Sequence, residues 1–421
     1  MKEFFVGSEI GKLRKVMVHR PDMELRRLTP SNHDDLLFDD VLWVRNARQQ
    51  HDAFVDQMHT RDIDVYYLDQ LLTEALKNPE AKKNAVNLAV NEYTVGLGAV
   101  NEIRRALLEL PPEELSMHLI GGLTIQELKE KGIDIHLLSN KSLVTAGADN
   151  SSFVLRPLPN SMFTRDSSCW IYNGVSLNPM YWPARQLEVI NVSIIYKYHP
   201  MFVAADFEFW YPNDDPFSEK SIQHFGQASL EGGDVMPIGN KTVLIGASER
   251  STGRMIEQIA RSLFRKGSAE RVIACLMTKN RGHMHLDTVC TFLDHDAITV
   301  FPDVVNSIVA YSMRPGEKEG ELSVTKEKSF ISAVKDVLHI KDLRIIPTGG
   351  DEYQAAREQW DDANNVIALE PGVVVSYSKN EYTNSMLRNA GIEVITIDGS
   401  ELGKGRGGGH CMTCPLFRDE V

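Results

Sequence analysis

The chain has 421 residues, which accommodates two or three domains, or one large α/β body with an insertion. Hydrophobic residues make up 43% and charged residues 24%, excluding wholesale disorder, a collagen-like chain and a coiled-coil rod. With 58 acidic against 45 basic side chains, the formal net charge of −13 opposes nucleic acid as a partner and favours cationic small molecules.

In chain order, MKEFFVGSEIGKLRKVMVHRP lacks the unbroken apolar run of a secretory signal, and no later stretch reaches the roughly 18 apolar residues of a membrane span. The expectation is a soluble cytoplasmic chain with no membrane partner. Of five cysteines (169, 275, 290, 411 and 414), three fall in β-like apolar runs, as reduced thiols do. From about Leu71 to Leu128, apolar residues recur at three- and four-residue spacing, broken by Pro and Gly, which predicts several short helices. The expected organisation is a first α/β part over residues 1–70, an inserted helical domain over 71–150 and the remaining α/β part over 151–421.

The α/β part repeats a pattern. Two apolar runs around a Gly, Asn or Asp turn occur as CWIYNGVSL from Cys169, VMPIGNKTVLIG from Val235, CTFLDHDAITVF from Cys290 and VIALEPGVVVSY from Val366. Three continue into a helix and a further strand: RMIEQIARSLF into RVIACLM, SFISAVKDVL into LRIIPT, and YTNSMLRNA into IEVITID. LRKVMVHRP, RNARQQHDAFVDQMH and DVYYL read as an interrupted copy near the N-terminus. The expected fold class is α/β, a five-unit ββαβ pseudosymmetric propeller with an additional α-helical domain. The competing reading is an open α/β sheet with accidental periodicity.

Four polar clusters sit where strands pass into loops: PNSMFTRDSS at 159–168, LEGGD at 230–234, GHMHLD at 282–287 and GKGRGGGHCMTCP at 403–415. Three glycines ahead of His410 and Cys411 give the backbone freedom to move a reactive thiol. The bland readings of Cys411 are a surface cysteine, or a CxxC pair with Cys414. A zinc site on His283, His285 and Asp287 is a third alternative. On a strand, His285 and Asp287 would point to the same face and serve one pocket. Alone, Asp166 reads as a capping residue, and Glu231 and Asp234 as solvated turn carboxylates. Together, one thiol, one imidazole and several carboxylates make a nucleophile, an acid/base and an anionic cage for a guanidinium.

GKLRKVMVHRP, LRPLPNSMFTRD, NPMYWPAR, LEGGDVMPIGN, MHLDTV and GGGHCMTCP, in this order, resemble the bacterial-type arginine deiminases of the guanidine-modifying (pentein) superfamily. The resemblance implies a five-unit α/β propeller with a helical domain, and hydrolysis of L-arginine to L-citrulline and ammonia with no metal or organic cofactor. It implies Cys411 as nucleophile, His285 as acid/base, Asp166 and Asp287 as guanidinium-binding carboxylates, and Glu231 as a further guanidinium contact that sets the protonation of the site. Arg185, Arg250 and Arg406 match arginines that bind or gate the substrate carboxylate, and Asn160 lines the substrate site. It also implies a homo-oligomer, dimer or tetramer. The alternatives are a related agmatine deiminase, dimethylarginine hydrolase or amidinotransferase, a non-catalytic arginine-binding relative, and a metal-dependent amidinohydrolase.

Overall fold

The computed structural model describes residues 3–212, 228–318 and 320–421. Its α/β part contains five sheets that share one plan: an antiparallel strand pair, a helical connection, and a third strand parallel to the second. Ser168–Ile171, Gly174–Leu177 and Glu208–Tyr211 form one, and Val235–Pro237, Thr242–Ala247 and Arg271–Leu276 the next. Cys290–Asp294, Ala297–Val300 and Arg344–Pro347 follow, then Ile367–Glu370, Val373–Tyr377 and Glu393–Ile397. All four predicted hairpins are present, each pairing two apolar runs across a short turn; three of the turns hold left-handed backbone, at Tyr172, at Asn240–Lys241 and at Gly372.

The fifth sheet completes the interrupted copy with a strand from the other end of the sequence. Leu13–Val18 pairs in parallel with Asp64–Tyr67 and antiparallel with Cys414–Arg418. No hairpin turn advertises that pairing, so its sequence signal is weak. The copy beginning at Ser168 also has a helix, Glu188–Tyr198, before its third strand. That helix is buried from Glu188 to Tyr196, so it lacks the polar face that marks an amphipathic helix. The helix Gly253–Arg265 is the contrasting case: Met255, Ile256, Ile259 and Leu263 are buried on one stripe. The sheet with Arg271–Leu276 carries two additional antiparallel strands, Val309–Pro315 and Leu322–Lys326.

Between Asp64–Tyr67 and Ser168–Ile171 the chain is mainly helical, with Leu68–Ala75, Pro79–Ala89, Val100–Glu109 and Pro112–Gly121 its longest helices. Local chemistry sets their ends. Asn78 caps the backbone of Glu80 and Ala81 ahead of Pro79–Ala89, and Gly122, at φ +83°, stops Pro112–Gly121. Their apolar faces share one buried cluster with Trp170, Val175 and the helix Glu188–Tyr198, so this segment packs directly on the first sheet. Among the described residues, no helix is long and apolar enough to cross a membrane.

Candidate active site

Four loops at strand ends bring their polar residues together in a buried cluster. Asp166 lies on the single helical turn Thr164–Ser167, Glu231 precedes the 3-10 turn Gly232–Asp234, and His285 precedes the 3-10 turn Leu286–Thr288, which holds Asp287. His285 and Asp287 therefore share the pocket through a tight turn, not a strand as their spacing suggested. Asp234 enforces that turn: Oδ1 accepts the Leu286 N–H at 2.8 Å, and Oδ2 accepts the Ser248 hydroxyl at 2.6 Å. The two acids of LEGGD thus divide, one facing the pocket and one stapling its rim. Both are buried, unlike solvated turn carboxylates.

His285 Nε2 meets Glu231 Oε2 at 2.8 Å, and His285 Nδ1 lies 3.8 Å from Asp166 Oδ1. Burial alone would lower the imidazole pKa, but Asp166 and the hydrogen bond and charge of Glu231 outweigh it and hold the group up at about 9. Glu231 is pulled well below the usual carboxylate range: its own burial is overcome by Arg250, His285 and Arg185. The pair is an imidazolium and a carboxylate.

Cys411 is also buried. Its Sγ accepts from Asn365 Nδ2 at 3.1 Å and lies 3.5 Å from Asp287 Oδ2, while its backbone N–H donates to Asn365 Oδ1 at 3.0 Å. Burial, then Asp287, Asp166 and Asp362, push the thiol pKa well above its ordinary value, against the Asn365 hydrogen bond. The preceding glycines pack more than they flex. A Cβ on Gly407 would come within 2.5 Å of the Phe163 ring, and one on Gly408 within 2.5 Å of the Asn365 carbonyl oxygen. Their role in this structure is close approach. Cys414 has separate surroundings, with Sγ 3.6 Å from the Ser168 carbonyl oxygen, and both thiols are free.

Two buried polar atoms at the centre have no hydrogen-bond partner, His285 Nδ1 and Asp287 Oδ1. Orphaned groups of this kind cost free energy unless a ligand or water satisfies them. Both border the space above Gly233, where a Cβ would lie 2.8 Å from His285 Nδ1 and 3.0 Å from Asp287 Oδ1. A Cβ there must displace His285 or Asp287, so Gly233→Ala is expected to lower stability by about 1–3 kcal/mol and to weaken binding of a guanidinium ligand at least about tenfold, measured by calorimetry.

The arginines behave differently from one another. Arg185 is fully buried and already committed: Nη1 donates to Asp166 Oδ2 at 2.7 Å, and Nε and Nη2 donate to Glu188 at 3.0 and 2.9 Å. Removing it would leave two buried carboxylates unpaired, a defect of about 3–5 kcal/mol, so Arg185→Ala is expected to appear as lost stability before it appears as lost affinity. Arg250 Nη1 donates to Glu231 Oε2 at 3.2 Å, but its buried Nε has no partner. Arg406, at φ +65°, lies 3.4 Å from the centre of the Trp360 ring and donates to the carbonyls of Trp360 and Gly282. Among the described residues, no hydrogen bond or ion pair joins Arg406 to Asp166, Glu231, His285 or Asp287. Asn160 Nδ2 donates to the Leu36 carbonyl at 2.7 Å, and its own carbonyl accepts from Arg185.

The zinc alternative on His283, His285 and Asp287 fails geometrically, because half-exposed His283 turns away to Thr278 Oγ1 at 2.8 Å. Among the described residues, the group whose ligand atoms lie within 4.8 Å of one another is Asp166, Glu231 and His285. Arg185 and Arg250 already neutralise those carboxylates, so a dication there would sit against two guanidinium groups.

Sequence reasoning missed Asn365, Glu188, Glu9, His410 and Asp362. The first sits in an Asn-Asn pair before a strand and reads as turn chemistry; the carboxylates carry no signal until folding buries them.

A family model described as arginine deiminase matches residues 34–418. Among solved structures, the fold is similar to SxtG, an amidinotransferase from Microseira wollei in the saxitoxin biosynthetic pathway, at 13% identity over 99% of this chain and 98% of that one, with a TM-score of 0.57. It is also similar to the dimethylarginine dimethylaminohydrolase of Pseudomonas aeruginosa complexed with citrulline, at 15% identity over 96% of this chain and 99% of that one, with a TM-score of 0.50. A dimethylarginine dimethylaminohydrolase adduct with S-methyl-L-thiocitrulline matches with the same identity, coverage and score.

Proposed function

The chain belongs to the arginine deiminase family, and from that premise we propose that it hydrolyses L-arginine to L-citrulline and ammonia through a thiouronium bound to Cys411. The observation that carries this reading is the juxtaposition of the buried Cys411 sulfur, 3.5 Å from Asp287, with a His285–Glu231 pair around the two unsatisfied atoms His285 Nδ1 and Asp287 Oδ1. Asp287 Oδ1, an unsatisfied acceptor beside a thiol, suits a guanidinium, which donates in a plane and presents an electrophilic carbon. The citrulline complex and the thiocitrulline adduct of relatives with this fold agree with that chemistry. Five like sheets, one of them joining the two ends of the sequence, support a five-unit propeller.

In the reaction, binding of the guanidinium cation lets the Cys411 thiol lose its proton to solvent, and the thiolate attacks the guanidinium carbon and forms a C–S bond. His285, carrying both protons, gives one to the departing nitrogen, which leaves as ammonia. Neutral His285 then takes a proton from water as the oxygen adds to the thiouronium carbon. Collapse of the second adduct breaks the C–S bond, passes the hydroxyl proton to the released ammonia or solvent, returns the thiolate and releases citrulline. Asp287 Oδ1 accepts from the guanidinium and holds it in line, while Asp166, whose oxygens accept from Arg185 and the Gly233 N–H, adds negative charge beside it. Arg250, with an unspent donor, suits the substrate carboxylate better than Arg185, whose donors are engaged.

The test is a colorimetric citrulline assay with L-arginine as the sole substrate, run beside agmatine, methylated arginines and arginine plus glycine. We expect arginine to exceed agmatine by at least about a hundredfold in kcat/KM, since agmatine leaves the free Nε donor of buried Arg250 without an acceptor. Preferential turnover of methylarginine, or transfer of the amidino group to glycine, would reassign the chemistry to one of the related activities.

A further inference from the structure

His410 stands directly behind the pocket and takes no part in the steps above. It is buried, and its two ring nitrogens face two carboxylates: Nδ1 lies 2.8 Å from Asp287 Oδ2, and Nε2 lies 2.8 Å from Glu9 Oε2. A neutral imidazole has one N–H and can donate to only one of them. Both contacts are hydrogen bonds only if the ring carries both protons or a carboxyl is protonated. Burial pushes Glu9 up, but Arg165, His410 and Arg418 outweigh it and hold the carboxyl at about 2. Asp287 is likewise lowered: His410, His285 and Arg165 overcome its burial.

The arrangement divides the two oxygens of Asp287. Oδ2 is taken by His410, and Oδ1 is left unsatisfied beside Gly233, where the substrate nitrogen is expected. We propose that Glu9 and His410 form a buried relay that fixes Asp287 as an ionised carboxylate with Oδ1 free for the guanidinium, making His410 a positioning residue of this site. This inference rests on the reading of the pocket as a guanidinium site. The groups facing Asp287 are His410, His285, Arg165, the Cys411 thiol and, acting in the opposite sense, Asp362; those facing Glu9 are His410, Arg165 and Arg418.

The sign follows. A carboxylate held below its ordinary pKa keeps its charge into acid, so loss of the relay raises the pKa of Asp287 and lets it protonate sooner as pH falls. His410→Gln should therefore move the acid limb of the kcat/KM profile for arginine upward by about one pH unit. Glu9→Gln, farther from the substrate, should move it the same way, and serves if His410→Gln does not fold. A uniform drop with the limb unmoved, the signature of a packing defect, would overturn the relay. An independent reading needs no substrate: carboxyl-carbon NMR titration of aspartate-labelled protein, with the Asp287 resonance assigned from Asp287→Asn. Failure of the wild-type enzyme to convert arginine would sink the deiminase reading alone, whereas an Asp287 midpoint unchanged by His410→Gln would sink the relay.

Discussion

Cys411→Ser should reduce citrulline formation from L-arginine by about 10⁴-fold or more while leaving arginine binding measurable by calorimetry. The substitution is nearly isosteric, and its hydroxyl can still accept from Asn365 Nδ2 and donate to Asp287, so the loop 406–411 has no reason to reorganise. Nucleophilicity is what is lost. The carboxylates that already oppose ionisation of the thiol would oppose ionisation of an intrinsically weaker acid still more strongly. No other side chain in the pocket can replace it: Asp166 and Glu231 are engaged by Arg185 and Arg250, and His285 is held as an imidazolium by Glu231. Binding should survive because the proposed grip on the guanidinium comes from the unsatisfied Asp287 Oδ1 and its neighbours, not from the sulfur. Citrulline production near the wild-type rate would place the chemistry on another group.

Much of this arrangement is legible in the sequence, and the rest is hidden for physical reasons. Hairpins such as Val235–Ala247 show because a turn with left-handed backbone, at Asn240 and Lys241, divides two apolar runs. The helix Glu188–Tyr198 is concealed because burial on all sides erases its periodicity, and Cys414–Arg418 because its partner Leu13–Val18 is about 400 positions away. At the site, residue types suggested a chemistry but did not reveal which side chain contacts which. Glu231 and Asp234 are three positions apart in one loop, yet one pairs with His285 and the other supports the Leu286 backbone. The arginines likewise look equivalent until their donors are traced, which separates buried, engaged Arg185 from Arg250 and from Arg406 on Trp360.

The largest effect expected in the opposite direction is a gain of thiol reactivity in a variant that loses turnover. In the empty site, Cys411 is kept neutral by burial and then by Asp287, Asp166 and Asp362, so alkylation by a small reagent at neutral pH should be slow and should accelerate only well above pH 8. A guanidinium ion bound between the sulfur and the carboxylates cancels their field and lowers the thiol pKa, so the thiolate absorbance should appear at lower pH when that ion is present. Asp287→Asn removes the nearest opposing charge while the His410 imidazole remains next to the site. The thiol pKa should then fall by about one unit or more, and alkylation of the empty variant at neutral pH should accelerate roughly tenfold. Turnover should nevertheless collapse, because the amide cannot hold and balance the guanidinium. The other thiols contribute little background: burial pushes Cys169 and Cys290 up to about 12 and raises Cys275 and Cys414 as well. Rapid modification of Cys411 in the unliganded wild-type enzyme at pH 7, or an Asp287→Asn enzyme no more reactive than wild type, would mean that these carboxylates do not control the sulfur. If reactivity instead rises as turnover falls, the carboxylates have two separable effects, suppressing the thiolate in the empty site and tolerating it once the substrate cation has arrived.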